Sequence, residues 1–359
     1  MKTSFKLLII TAAAFMSVSC TSDPASSYRA VFGNTHSHCN YSGDIAIFRG
    51  KKGLGLDPGN TPQGHYGNAK AAGYDFYCIT DHSQYPCYTE EAWADIQAQA
   101  EAFTDENFVA LRGYEHSEND GPDGRGHMNV WGSTTFLNAL ADSVSIEFFQ
   151  NWLATKANKE AFAGFNHPKT DAYNDFHCYD EAVRDRMKLI ELINGKNPKF
   201  YKSFLKALSL GWKVSPVAGC DNHDANNIAK WPCRTGLLVT ALTPDGVLDA
   251  MRSRRTWAMF DKNMDVRYSV NGVVMGSEIP AAAKYKFNIN ICDPDEDQVI
   301  NKVEIVGEDG AVLASEEFSS NAVEWKPVIT ENQKYFFVLV YTEAYPEHPT
   351  AYVAPVWVK

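Results

Sequence analysis

Two histidines separated by a single serine, His36 and His38, follow a short apolar run, Ala30-Val31-Phe32, that reads as a strand. Side chains two apart on a strand leave from the same face, so both imidazoles point one way. Neutral imidazole is a common borderline metal donor, and a divalent cation needs several such donors converging from one side. The asparagine, serine and glycine that surround the pair, up to Asp44, read as the loop that ends the strand. Loops at strand ends are where binding and catalytic groups concentrate.

The same arrangement recurs along the chain. Residues 75–80 read as a buried strand ending in Asp81-His82, and residues 108–112 as a strand ending in Gly113-Tyr114-Glu115. A glycine-rich loop leads to His127; residues 161–165 end in Asn166-His167-Pro168, and residues 214–220 in Asp221-Asn222-His223. Six of the ten histidines therefore stand at these positions, together with the carboxylates of Asp44, Glu115 and Asp221. Such a gathering is costly without a partner, because like charges repel and buried polar groups need satisfaction. Divalent cations would satisfy all of them together.

The elements that position these groups alternate. Helical patterns begin near Thr61-Pro62, at Thr89-Glu90-Glu91 and at Ser145, and others cover residues 199–210 and 244–252. Thr89 is placed as a cap, with acidic residues in the first turn behind it. Strand alternating with helix predicts a parallel sheet with right-handed crossovers. About seven such units, with polar residues after each strand, predict a (β/α) barrel whose site lies at the strand C-terminal ends. Beyond residue 262 the pattern changes to short alternating segments separated by turns, which predicts a small β-sandwich over residues 263–359. The expected organisation is a leader and tether over residues 1–27, a barrel over 28–262, and this terminal domain.

A chain of 359 residues with a net charge of −11 has ample length for a core and little affinity for phosphate backbones, so nucleic acid is excluded as the main partner. Lys2 and Lys6 precede a short apolar run, and Ser17-Val18-Ser19 precede Cys20. A basic start, a short apolar region and small residues before the cut form a secretory signal. A cysteine directly after them resembles a bacterial lipoprotein signal, which implies an exported protein anchored to a membrane through a lipid on Cys20. Seven further cysteines in irregular spacing do not form a staple framework or a zinc ribbon.

The ensemble His36-Ser37-His38, Thr80-Asp81-His82, Gly113-Tyr114-Glu115, Asn166-His167-Pro168 and Asp221-Asn222-His223 resembles the polymerase and histidinol phosphatase superfamily, in its order and over residues 29–260. It is similar to the secreted branch that includes carbaryl hydrolase, as Asn271-Gly272-Val273-Val274-Met275-Gly276 also suggests. The resemblance implies an α/β fold, a distorted seven-stranded barrel followed by the β-sandwich, holding two or three divalent ions (Zn, Mn or Fe). His36, His38, Glu115 and Asp221 would hold the first ion, and Glu115 would bridge to a second taken by His127 and His167. A third would take His82, His223 and Asp44, the last standing where many members have histidine. A carboxylate there favours harder ions.

The implied activity is metal-dependent hydrolysis by a metal-bound hydroxide, with Asp81 or His223 carrying protons. No Gly-x-Ser-x-Gly elbow supplies another nucleophile. A small or glycan-linked phosphoester, mono- or diester, is the first expectation. An amide, carbamate or carboxylic ester is the second, and a non-catalytic surface protein binding a glycan or partner is the third. Arg125, Lys169, Lys196 and Arg255 are candidate contacts for a substrate anion, and Glu191 is either a structural acceptor or a support for a ligand.

Overall fold

The computed structural model describes residues 24–42, 60–84, 87–118, 126–139, 145–169, 173–176, 181–196, 198–296 and 298–359. Asp44, Arg125 and Cys20 lie outside the described residues, and so do the expectations attached to them. Within the first part the order is β1 (Arg29–Asn34), α1 (Pro62–Ala71), β2 (Phe76–Ile79), α2 (Glu90–Phe103), β3 (Val109–Glu118) and β4 (Gly126–Trp131). There follow α3 (Ile146–Thr155), β5 (Phe162–Asn166), α4 (Glu181–Arg186), β6 (Met187–Asn194), α5 (Tyr201–Ser209) and β7 (Ser215–Gly219), and then β8 (Arg234–Val239), α6 (Pro244–Arg252) and β9 (Thr256–Met259). The helix starts follow capping chemistry. Thr61, Thr89, Ser145 and Thr243 each accept a backbone N–H of the first turn on the side-chain oxygen.

These strands do not form the expected seven-stranded (β/α) barrel with a separate sandwich. The molecule is mostly β, built on a mixed, curled half-barrel sheet. Its path runs β7-β6-β5-β4-β3-β2-β1-β8-β9 and continues without a break into strands of the C-terminal part. Among β1 to β9, β1-β2-β3 and β5-β6-β7 are parallel neighbours; β4 is antiparallel to both of its neighbours, and β8 to β1 and β9. Chain length gives one reason. Residues 119–125 between β3 and β4 are too few for a crossover helix, so the chain doubles back.

The second reason is the open edge of β9. Ala351–Val353 pairs with it antiparallel, placing Met259 opposite Ala351, and Tyr335–Thr342 extends the sheet further. An unpaired strand edge is a template for another strand, and here the chain's own C-terminus covers it. A five-stranded sheet that includes Asp265–Val270 and Tyr285–Cys292 shares a core with this extension through Val266, Ile289, Phe336 and Val338.

One face of the curled sheet explains where the donors go. Val109 and Leu111 pack in an apolar cluster with Phe76, Cys78, Leu189 and Val217, closed by Val247 and Met251 of α6. Burying each of these aliphatic side chains contributes roughly 1.5–3 kcal/mol. With period 2, the face that carries Val109 and Leu111 continues through Gly113 to Glu115, and the face of Leu189 continues to Glu191. The interior is thus apolar at one end of the strands and acidic at the other.

Candidate metal centre

Glu115 occupies the middle of the polar end, 1 % exposed. Its Oε2 lies 3.3 Å from Nε2 of His36, 3.3 Å from Nε2 of His38 and 3.1 Å from Nε2 of His82. Its Oε1 lies 3.2 Å from Nδ1 of His127 and 3.4 Å from Nε2 of His167, and accepts from Asn166 Nδ2 at 2.7 Å. Five imidazoles from the ends of four strands therefore surround one carboxylate. Asp221 completes the group, with Oδ1 at 3.0 Å from His38 Nε2 and 3.6 Å from His36 Nε2.

Three sets of donors could each hold an ion: His36, His38 and Glu115; His38, Asp221 and His223; His82, Glu115 and His127. The sets share His38 and Glu115, so they form one connected centre. Their partition differs from the one the resemblance implies, because His82 stands with Glu115 and His127 while His223 stands with His38 and Asp221. The fit to cations rests on what the donors lack. Glu115 Oε2 is buried and, despite three imidazole nitrogens around it, accepts no hydrogen bond; His127 Nδ1 is likewise buried without one. An imidazole nitrogen that faces a carboxylate oxygen with no hydrogen bond between them is a pairing that a shared cation could complete. His36 and His38 approach at 3.0 Å between their Nε2 atoms, which a common ion also explains.

Backbone arrangement supports this convergence. The chain beyond β1 pairs with the chain beyond β7: Asp221 N–H donates to His36 O, and His38 N–H to Asn222 O, at 3.0 and 2.9 Å. His167 and Asp221 both adopt left-handed backbone angles, φ 30° and 48°, unfavourable for residues with a Cβ. Strain of that kind persists where surrounding contacts over-determine it, and it clusters at functional sites.

Supporting side chains fix the rings. Glu191 Oε1 accepts from His36 Nδ1 at 3.0 Å, while Oε2 accepts from His167 N–H at 2.7 Å and from Asn194 at 3.1 Å. Asn194 also donates to Asp221 Oδ2 at 3.2 Å. His38 Nδ1 lies 3.2 Å from Ser42 Oγ, so Nε2 is left for the centre. Sequence reasoning passed over Asn194 for a physical reason. Strict alternation puts Glu191 and Ile193 on one face, but a bulge between them shifts the register and gives Asn194 that face instead.

The electrostatics are those of a tightly coupled cluster. Burial opposes ionisation of Glu115, yet His82, His36 and His127 hold its carboxyl well below the usual range. Asp221 behaves alike: burial is outweighed by His36 and His38. Conversely, burial disfavours a charged His36, but Glu115, Asp221 and Glu191 raise its pKa well above the ordinary value.

Two expected residues have partners elsewhere. Asp81 does not face the centre; its carboxylate accepts from the Cys39 backbone N–H at 2.6 Å and from the Cys39 thiol at 2.7 Å. The expected proton carrier is thus a fixture of the loop behind His38. Arg255 lies beyond α6, where Nε donates to Leu238 O at 2.9 Å, Nη2 pairs with Asp249, and the guanidinium lies over Tyr28. Leu238 pairs with Ala30 at the start of β1, so Arg255 stands at the end of the strands away from His36 and His38. Lys169 follows the His167 turn and is exposed.

No family model matches the chain, and no curated protein matches it. Among solved structures it is similar to PsfC from Pseudomonas syringae PB-5123, at 16% identity and a TM-score of 0.42, over 64% of this chain and 90% of that one. It is also similar to an engineered protein, at 10% identity and a TM-score of 0.19, over 81% and 78% of the two chains. Likeness at these levels carries no argument about activity.

Proposed function

We propose that the chain is a metal-dependent hydrolase of the polymerase and histidinol phosphatase type, acting on a phosphoester. The observation that carries this reading is the buried Glu115 carboxylate held between five imidazoles, with each oxygen facing a different set. A carboxylate so placed is suited to bridging two cations. When bound, such a pair supplies Lewis acidity for a phosphoryl oxygen and lowers the pKa of water. His36, His38, Asp221 and Glu115 would hold one ion; Glu115, His82, His127 and His167 would hold the other.

The protein's own contribution is orientation. Glu191 keeps the His36 ring turned, and Ser42 does the same for His38. His223 is partly exposed, its side chain 22% accessible and its Nδ1 on the Asp221 carbonyl at 2.9 Å, and its Nε2 would pass a proton to a leaving oxygen. Export and anchoring through Cys20 belong to the same proposal and rest on the leader sequence alone.

The test is a set of assays on protein of known metal content: p-nitrophenyl phosphate, bis(p-nitrophenyl) phosphate and a naphthyl carbamate, each with and without EDTA. Phosphoester turnover abolished by EDTA supports the proposal. Turnover of the carbamate alone would move the assignment to acyl chemistry, and metal-loaded protein inert towards all three would overturn catalysis.

A further inference from the structure

Cys220 and Cys233 bring two buried sulfurs together where β7 meets β8. Their Sγ atoms are 3.8 Å apart, between residues 13 positions apart in sequence, and the residues are 2% and 0% exposed. Both cysteines are unlinked here, and Tyr74 OH also lies 3.8 Å from Cys220 Sγ. Cys220 follows the last residue of β7 and Cys233 precedes the first of β8.

Among the described strands, β7 has no ladder with β1 or β8 and ends the path of the large sheet. What joins it across the gap comes from side chains and loop backbone: Cys220 N–H donates to Asn34 Oδ1 at 2.8 Å, the Thr35 hydroxyl donates to Ala218 O at 3.2 Å, and the Ser215 and Thr256 hydroxyls lie 2.6 Å apart. Ser37 and Asn222 form a single isolated bridge, and the Thr235 hydroxyl exchanges hydrogen bonds of 2.8 Å with the backbone of Ala218. The segment between the two cysteines carries Asp221 and His223, two of the candidate donors. A cross-link at this point would close that donor loop and add a covalent tie at a seam that no strand ladder joins.

We propose that Cys220 and Cys233 form a disulfide in the oxidised protein. Reaching the S–S length of about 2.05 Å requires the sulfurs to approach by roughly 1.8 Å. A thiolate of one cysteine attacks a disulfide donor, such as oxidised glutathione or a disulfide-carrying oxidase, and releases one donor thiol. The second cysteine thiolate then attacks the mixed disulfide and releases the other. Two electrons and two protons pass to the donor, and one S–S bond replaces two S–H bonds. Because neither sulfur is accessible in the folded chain, the exchange belongs to folding, before β7 and β8 close on each other. The bond is accordingly a structural staple and not a reversible switch of the native protein. This inference is independent of the hydrolase assignment.

The decisive experiment refolds the full chain in a glutathione redox buffer, alkylates free thiols under denaturing conditions and maps non-reduced peptides by mass spectrometry. A linked peptide joining Cys220 to Cys233, 2 Da lighter than the two thiols, is the expected result. Alkylation of both cysteines, or pairing of either with another cysteine, would overturn it. A stability measurement accompanies the map: oxidised wild type should melt higher than Cys233→Ala by roughly 3–6 °C, a difference that vanishes in reductant.

Discussion

The carboxylate of Glu191 receives Nδ1 of His36 at 3.0 Å while the β-carbon of His36 passes directly over Gly219. Oriented this way, His36 presents Nε2 to Glu115 and Asp221. The contact has no slack. A Cβ on Gly219 would lie 1.8 Å from Glu191 Oε1 and 2.7 Å from the His36 β-carbon. Ligand, orienting acid and glycine therefore form one packed unit drawn from β1, β6 and β7.

The first prediction concerns that unit. Glu191→Gln keeps the volume but weakens the acceptor that fixes the His36 ring, so metal affinity should fall about 10–100-fold with the fold retained. Chelator competition, with circular dichroism as the control for folding, measures it. Unchanged affinity would show that His36 needs no orienting acid. Gly219→Ala should be harsher, giving both lower thermal stability and lower metal content, because the clash displaces backbone and ligand together.

The second prediction concerns Glu115. If it bridges two ions, Glu115→Gln should lower the metal content by more than one equivalent, whereas His223→Ala should lower it by one at most. Elemental analysis of protein purified without added metal reads both. His38→Ala and Asp221→Ala should abolish turnover while leaving the fold intact, since their side chains contribute donors and little apolar packing. Activity in either would remove the centre from the mechanism.

Removal of the ions should also be felt in stability. A ligand that binds only the folded state at 100 times its dissociation constant adds about 2.7 kcal/mol. Melting temperature should accordingly fall on dialysis against EDTA and recover with added divalent ion. The Glu115→Gln protein should show a much smaller response in the same experiment.

Much of the site was legible in the chain because its donors sit at strand ends, where a two-residue alternation carries an apolar inner face into a polar one. Val109, Leu111 and Glu115 show that continuity within a single strand. The sheet was not legible to the same degree. Whether β3 continues into a parallel or an antiparallel neighbour depends on a connection of seven residues, and the covering of β9 by Ala351–Val353 joins segments about ninety residues apart. Asn194 was hidden by a bulge, and Asp81 and Arg255 by partners that no local pattern announces. Cys39 and Asp249 are ordinary residues until the fold sets them beside a charge.

Acid should destabilise the protein partly through a histidine that lies beneath the centre. His65 is fully buried, with Nε2 on Asn60 Oδ1 at 2.8 Å and Nδ1 3.3 Å from Tyr77 OH. Burial, with smaller effects from His38 and His223, depresses its pKa to about 3. Between about pH 6.5 and 3 the unfolded chain then binds a proton that the folded chain does not. Stability contributed by the neutral ring is present above pH 6.5 and is lost as pH falls, with a limiting slope of about 1.4 kcal/mol per pH unit. Urea unfolding of wild type and His65→Gln at pH 7 and pH 5 isolates this contribution, and the variant should lose less stability between the two. Equal losses would mean that His65 is protonated in the native state.

Asp81 provides the last test, because its carboxylate is engaged with the loop behind His38. Both of its oxygens are engaged with Cys39, one through the backbone N–H and one through the thiol. An asparagine can keep the first contact through its carbonyl oxygen but presents an amide donor where the charged acceptor stood. Asp81→Asn should therefore cost about 1–3 kcal/mol of stability, the range for a buried polar group left poorly paired. Its kcat, measured on metal-loaded protein well below the melting temperature, should stay close to wild type with an unshifted pH profile. A large loss of kcat with the acidic limb of that profile displaced would instead return Asp81 to the proton path, and would require its carboxylate to leave Cys39 when substrate binds.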